Sequence, residues 1–303
     1  MAGDRMPAPP PPQERGDGSP SIAVTIIARD EEDRLPDALA SVSFADEVVV
    51  VVDAASTDRT EEIARASGAR VLVRAFDGFG AQKNAAAAEA SSSWILSLDA
   101  DEIASPELAV ELRGRLFELA ARRKRVGEAP PAFRIPIRLE FLGRPLRFGR
   151  DTVVRPVRLY DRRYARFTED PVHERVVSTG PIDALDESIL HRSYRDLSHY
   201  LQKLDLYTTL AARAKQSQGK GAPRFLSLRV AWEFFDRAFL RLGLLDGTAG
   251  LTFALLSAGN TLLKYQKLTE LRTLPERAVP PAAEGSRPAE VPVPAARTPL
   301  ETS

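Results

Sequence analysis

Two aspartates separated by one small residue, Asp99-Ala-Asp101, follow the apolar run Trp94-Ile-Leu-Ser-Leu98. In extended chain, residues i and i+2 face the same way, so both carboxylates point to one side. Paired hard oxygens suit Mg2+ or Mn2+, an ion that bridges diphosphate oxygens and stabilises a departing phosphate. Taken alone, the three residues would serve equally well as a loop leading into a helix. Two more polar clusters follow apolar runs in the same manner: Arg29-Asp30-Glu31 after Ile22–Ala28, and Asp53 with Ser56-Thr57-Asp58 after Glu47–Val52. A carboxylate at Asp53 accepts hydrogen bonds from a base or ribose, or from donors of its own turn. Asp58 is placed to cap a helix. Gly78-Phe-Gly-Ala-Gln-Lys83-Asn84 leads into another helix, where the glycines permit close backbone approach and Lys83 can meet phosphate.

These clusters require elements that bring them together. Ile22–Ala28, Glu47–Asp53, Arg70–Val73 and Trp94–Leu98 are short apolar runs suited to strands buried on both faces. Between them the sequence predicts helices over Glu31–Val42, with Pro36 in the first turn, from Asp58 through Ala66, and over Ala81–Ala90. Ser105-Pro106-Glu107 opens a further helix with a serine cap and a proline at its first position. Strand–helix alternation implies a mostly parallel α/β sheet with helices on both faces. Ligands on such sheets bind beyond the carboxyl ends of the strands, where all three polar clusters fall.

Composition narrows the chemistry. Lys+Arg and Asp+Glu both number 42 in 303 residues, a balance that argues against nucleic acid as the main partner. With no cysteine, thiolate metal sites and cysteine nucleophiles are excluded, and any metal rests on carboxylate or histidine. Residues 1–20 contain charges and the Pro9–Pro12 run with no apolar stretch, so they are not expected to act as a signal peptide. That segment and residues 275–303 are expected to be disordered.

The series Val24-Thr-Ile-Ile-Ala-Arg-Asp-Glu31, Val50-Val-Val-Asp53-Ala-Ala-Ser-Thr-Asp58, Gly78–Asn84 and Leu96-Ser-Leu-Asp-Ala-Asp-Glu102 resembles the inverting family-two glycosyltransferases, typified by cellulose and chitin synthases. Phe141-Leu-Gly-Arg144, Val157-Arg-Leu-Tyr160, Pro171-Val-His-Glu174, His191-Arg-Ser-Tyr194 and Leu242–Gly247 are similar to the branch of β-glucosyltransferases that act on lipopolysaccharide inner-core heptose. The resemblance implies a GT-A type Rossmann-like domain over residues 21–195, its nucleotide half at about 21–125 and its acceptor half at about 126–195. A helical extension over 196–274 follows. It implies a nucleotide-diphosphate donor, with UDP-hexose foremost, a Mg or Mn cofactor, and a glycolipid or polysaccharide acceptor. Asp53 would contact the base, Asp99 the ribose or metal, Asp101 the metal, Lys83 the nucleotide, and Glu31 the floor of the base pocket. Asp30 departs from the asparagine common in the family.

Inverting transfer needs a base for the acceptor hydroxyl. Glu174 of the Val-His-Glu element and Asp170 of the Glu169-Asp170 pair are both candidates, and His173 is a candidate for metal or diphosphate. Arginines at 134, 138, 144, 147, 150, 155 and 158 form either a solvated face or an acceptor surface for an anionic glycolipid, with Arg144 and Arg158 as phosphate contacts. A nucleotidyltransferase would share the sheet and carboxylates, but the place of its glycine-rich loop holds Ala28-Arg-Asp-Glu-Glu32. A catalytically silent membrane-associated scaffold is the third reading. Arg224–Arg241 alternates basic residues with large aromatics, and Gly247–Leu263 is uncharged but short for a membrane span. The expectation is a peripheral helical platform on the cytoplasmic face of the membrane; the alternative is that both segments pack on the catalytic domain or form a dimer contact.

Overall fold

The computed structural model describes residues 20–122, 129–170 and 174–273. The two segments expected to be disordered fall, apart from Pro20, outside these residues. The chain divides into two compact units, one comprising 154–191 with the chain up to 137, the other 138–153 with the chain from 192.

The first unit is built on alternating strands and helices. These are β1 (Ile22–Ala28), α1 (Leu35–Ser41), β2 (Glu47–Asp53), α2 (Thr60–Ala66), β3 (Arg70–Arg74), α3 (Phe79–Glu89), β4 (Trp94–Asp99), β5 (Glu102–Ala104), α4 (Pro106–Arg122) and β6 (Ala132–Arg134). The hairpin of β7 (Ile137–Phe141) and β8 (Arg144–Pro145), with β9 (Val153–Val154), intervenes. The chain returns as β10 (Val157–Asp161), β11 (Ala165–Phe167), β12 (Val176–Ser178), β13 (Ile182–Ala184) and β14 (Ile189–His191). Seven strands form the main sheet in the order β13-β6-β10-β4-β1-β2-β3. The four from β4 to β3 run parallel, β10 is antiparallel to β4 and β6, and β13 is parallel to β6.

Side chains alternate across this sheet with the period of two that pleating imposes. Val24, Ile26, Val50, Val52, Leu96 and Leu98 face one core, shared with Leu35 of α1, Ala64 of α2 and Leu108 of α4. Ala23, Val49, Val51 and Ile95 face the other, shared with Ala86 and Ala87 of α3. Both faces are therefore covered, as the unbroken apolar runs require. The fold class is the α/β class expected, and the antiparallel β10 completes the sheet beyond its parallel half. Ser105 caps α4 as expected, its hydroxyl accepting from the Leu108 amide at 3.1 Å. The helix predicted from Glu31 begins only at Leu35: residues 31–34 form a turn, with the amides of Glu31 and Glu32 donating to Thr60 and Asp58.

The second unit pairs the β7–β8 hairpin with helices. Leu142 and Gly143 both take positive φ, the two-residue turn whose twist matches paired strands. Helices α5 (Leu197–Ser217), α6 (Leu226–Phe235) and α7 (Gly247–Thr273) follow, with one π turn over Asp236–Leu240 and a 3-10 turn over Gly243–Asp246. Phe141 sits edge-on to Tyr194, Tyr200 and Phe253, which ties the hairpin to α5 and α7. Among the described residues no single helix is long and apolar enough to cross a membrane. Leu226–Leu240 and Gly243–Thr273, bent by 67°, reach that length and composition only as a pair.

Candidate active site

The three polar clusters meet at the carboxyl ends of β4, β1 and β2. Parallel register sets Asp99 beside Ile27 and Val52 beside Ala28, so Asp99 and Asp53 flank the end of β1. Arg29-Asp30-Glu31 emerges between them. Asp30 adopts φ +53°, a left-handed conformation that Asp and Asn tolerate better than other side chains. Its Oδ1 accepts from the Thr57 amide at 2.8 Å, tying the two loops together. An asparagine oxygen would serve that bond equally, which accounts for an aspartate standing where the resembling family has asparagine. Asp58 accepts from the amides of Thr60 and Glu32, both at 2.9 Å, and so pins the start of α2. Asp53 is buried, accepting from the Ala55 amide at 3.0 Å and from Arg29 at 3.3 Å.

Asp99 is held from two sides. Arg158 Nη2 donates to its Oδ2 at 2.8 Å, and Lys83 Nζ lies 3.1 Å from its Oδ1. Burial opposes ionisation, but Arg158 and Lys83 outweigh it and hold the carboxyl far below the usual carboxylate range. Lys83 is itself buried and lies 3.1 Å from Glu174 Oε1, with Nζ 5.2 Å from the centroid of the Phe167 ring. One ammonium group therefore joins Asp99 to Glu174. Asp101 meets Arg34 at 3.1 Å and His191 Nε2 at 3.2 Å, both at Oδ2. Burial raises its carboxyl, yet His191 and Arg34 bring it below its ordinary value. Glu31 pairs with Arg34 at 3.4 Å, so one guanidinium spans Glu31 and Asp101.

Two expectations are corrected. Arg158 does not form an acceptor surface: it is 5% exposed and bridges Asp99 and Glu102, the latter at 2.7 Å. It points inward because the antiparallel pairing of β10 with β4 sets its strand beside the carboxylates' own. Arg134 donates to the Arg155 carbonyl, while Arg144 and Arg147, in the second unit, line a pocket of about 430 Å3 with Phe148, Leu245 and Asp246. The glycine of the Gly-Ala-Gln-Lys-Asn segment makes its close approach to protein: a Cβ on Gly80 would lie 1.9 Å from the Thr168 carbonyl oxygen. His173 lies outside the described residues. Asp170 is exposed, whereas Glu174 joins the cluster.

Three residues of the cluster were not singled out for it from sequence. Glu102 is fully buried and accepts from the Asp99 amide at 2.9 Å; burial raises its carboxyl against the pull of Arg158. His191 is set opposite Glu102 by the β5–β14 ladder, and despite burial Asp101 favours its imidazolium. Arg34 escaped notice as one charge in a charged run. Only His191 carried a local signal, a histidine closing the apolar pair Ile189-Leu190.

Asp99 and Asp101 suit a hard divalent cation by chemistry, two carboxylates from one short segment with part of each side chain solvent-accessible. Among the described residues no three His, Asp or Glu groups form a complete metal cage. A Mg2+ or Mn2+ that keeps its waters and takes substrate oxygens needs only one or two carboxylates, so the pair fits.

Residues 23–121 match the family model described as glycosyl transferase family 2. An uncharacterized glycosyltransferase of Rickettsia typhi is 28% identical over 260 residues, covering 82% of this chain and 87% of the relative. A TPR repeat-containing protein of Synechococcus elongatus is 38% identical over 117 residues, 36% of this chain and 29% of its own. Among solved structures, S. aureus TarS 1–349 aligns over 83% of this chain and 91% of its own, at 14% identity and a TM-score of 0.38. Glucosyl-3-phosphoglycerate synthase of Mycobacterium tuberculosis, solved with Mn2+ and UDP, covers 41% of this chain and 45% of its own, at 24% identity and TM-score 0.29. The family match runs from the first strand into α4, about a third of the chain.

Proposed function

We propose that the chain is an inverting, divalent-metal-dependent glycosyltransferase. It moves a hexose from a nucleoside diphosphate, UDP foremost, to a hydroxyl of a glycolipid or polysaccharide, with the lipopolysaccharide inner core as the acceptor to test first. The observation that carries the reading is the Asp99–Lys83–Glu174 chain. A carboxylate on the donor side and a carboxylate placed to act as base share one buried ammonium, which fixes the distance between donor and acceptor chemistry.

In this reading the acceptor oxygen attacks the anomeric carbon as the bond to the diphosphate oxygen breaks, and the nucleoside diphosphate leaves with the bonding pair. Glu174 takes the hydroxyl proton. Single displacement inverts the anomeric centre. Asp53 and Glu31 line the nucleoside end, where Arg29 and Arg34 hold their carboxylates in place. The cations of the cluster are already engaged: Arg158 by Asp99 and Glu102, Arg34 by Glu31 and Asp101, Lys83 by Asp99 and Glu174. A diphosphate arriving there adds negative charge to a carboxylate-rich site. Asp99 and Asp101 would hold a divalent cation there, which would supply the compensating charge and stabilise the leaving group.

The experiment is turnover of UDP-, GDP- and ADP-hexoses by the full chain with Mn2+ or Mg2+, with and without lipopolysaccharide-core acceptors. Metal-dependent release of the nucleoside diphosphate, and an inverted anomeric product, are expected. Release of pyrophosphate from a nucleoside triphosphate and a sugar phosphate would instead make it a nucleotidyltransferase. No binding of any nucleotide sugar would leave the scaffold reading.

A further inference from the structure

Between α5 and α7 the chain carries a feature that glycosyl transfer does not use. From Phe225, large apolar side chains recur at spacings of three and four: Phe225, Leu228, Trp232, Phe235, Phe239 and Leu242. That period places Leu228, Trp232 and Phe235 along one side of α6, with Phe225 just before it, Phe239 in the π turn that continues it and Leu242 just after that turn. The rings confirm the shared side, with Trp232 and Phe235 centroids 6.0 Å apart and Phe235 stacked on Phe239 at 5.2 Å. Among the described residues nothing covers them: Leu228 is 66% exposed and Trp232 59%, and the other four are exposed as well. Single exposed apolar residues are ordinary, but a continuous stripe of this size marks an interaction surface.

The charges around the stripe select the partner. From Lys220 to Gly247 there are three acids, and none is exposed. Glu233 is held by Arg237 at 2.9 Å, Asp236 is buried beside Arg150 and Arg241, and Asp246 accepts from the Arg147 and Phe148 amides. The exposed charge of the segment is therefore wholly cationic: Lys220, Arg224, Arg229 and Arg241. We propose that this stripe lies in the interfacial region of an anionic lipid bilayer, with the axis of α6 in the membrane plane. Aromatic and leucine side chains enter the headgroup boundary, and the arginines meet lipid phosphates. A second copy of the chain would set the same cations against each other, whereas an anionic bilayer neutralises them. The inference stands apart from the proposed transfer reaction, because vesicle binding is read without turnover.

The test is co-sedimentation of the full chain with vesicles of phosphatidylethanolamine and phosphatidylglycerol, against vesicles of phosphatidylcholine. Acrylamide quenching of tryptophan is measured in parallel. The chain has two tryptophans, and Trp94 is buried, so quenching reports on Trp232. Partition into anionic vesicles with protection of Trp232 is expected. Removing a basic residue near the surface weakens binding about fivefold, so Arg224→Gln with Arg229→Gln should lower partition about 25-fold and flatten its salt dependence. Trp232→Ser with Phe235→Ser should abolish it while leaving UDP affinity and the thermal melt unchanged, since both positions are exposed. The proposal is overturned if the full chain stays in the supernatant with Trp232 fully quenched, or if neither double variant alters partition. It is equally overturned if the serine variant converts a dimer to a monomer in sedimentation without any vesicle binding, since the stripe would then be a seam between two copies.

Discussion

Replacing Arg158 with methionine tests the electrostatic frame of the site. The methionine keeps much of the buried stem but removes the guanidinium from between two carboxylates, Asp99 at 2.8 Å and Glu102 at 2.7 Å. Asp99 retains Lys83 and has a quarter of its side chain exposed, so part of its charge stays compensated. Glu102 does not fare so well: its side chain is 2% exposed, and its remaining donor in the cluster is the Asp99 amide. Breaking a buried pair from one side costs about 3–5 kcal/mol, chiefly by stranding the partner's charge. For a unit of this size that corresponds to a fall in melting temperature of about 6–20 °C. Urea unfolding and thermal melts of the full chain measure it. If stranded charge is the cause, adding Glu102→Gln to Arg158→Met should recover most of the loss, since the amide oxygen still accepts from the Asp99 amide. A single variant within about 1 kcal/mol of the parent, or a second substitution that deepens the loss, would refute the assignment of Arg158 as the buried counter-ion.

Asp101→Asn should lose metal-dependent turnover by on the order of 10^3-fold while calorimetry shows weakened Mn2+ binding to a chain that circular dichroism shows still folded; an unchanged metal requirement counts against a ligand at this position. Glu174→Gln should lower kcat by roughly 10^2–10^4-fold with little change in donor KM, and if Asp170→Asn is the crippling change instead, the base is Asp170. Glu47 accepts from the Ser91 hydroxyl at 2.8 Å and the Ser92 amide at 2.6 Å; burial works against its charge, but these bonds hold its carboxyl below the ordinary value. Its stabilisation is therefore present above the unfolded value of about 4.3 and lost as pH falls through the folded value, so Glu47→Gln should cost about 0.5–1 kcal/mol at neutral pH after solvent screening, with the deficit closing in acid; a deficit that persists there contradicts the linkage. Gly80→Ala should destabilise by about 1–3 kcal/mol, because the new methyl overlaps the Thr168 carbonyl; an unchanged melt would mean that this contact yields freely.

Local pattern was enough to find the parallel strands and the helix capped by Ser105, because each depends on residues a few positions apart. The same holds for placing Asp53, Asp99 and Asp101 at strand ends. What local pattern could not supply was the pairing of charges. Lys83 and Glu174 are separated by 91 positions, and Arg158 and Asp99 by 59, so nothing near Arg158 in sequence distinguishes it from the solvated arginines around it. The helix start at Leu35 was missed for a related reason. The amides of Glu31 and Glu32 donate to Thr60 and Asp58, 29 and 26 positions away, so the turn before the helix is held by partners that local pattern does not show.

The Gly80-Ala-Gln-Lys-Asn84 segment gains a physical account from these contacts. Sequence suggested glycines that let phosphate approach and a lysine that meets it. In the fold each polar residue has a protein partner. Gly80 allows the backbone of α3 against Thr168. Gln82 donates to the Ala75 carbonyl at 3.1 Å, securing the loop before the helix. Asn84 donates to the Phe167 carbonyl and accepts from the Phe167 amide, both at 3.0 Å, completing with its side chain the two bonds that a neighbouring strand would make. The segment is thus a joint that locks α3 onto the end of β11, and Lys83 projects from that joint between Asp99 and Glu174. Lys83 is buried, and its ammonium is held by Asp99 and Glu174, both at 3.1 Å, and by the face of the Phe167 ring. Preorganised charge of this kind is what stabilises developing charge most effectively. If the proposed transfer holds, the position of that ammonium between the two carboxylates makes the seating of α3 on β11 bear on where an acceptor hydroxyl would lie.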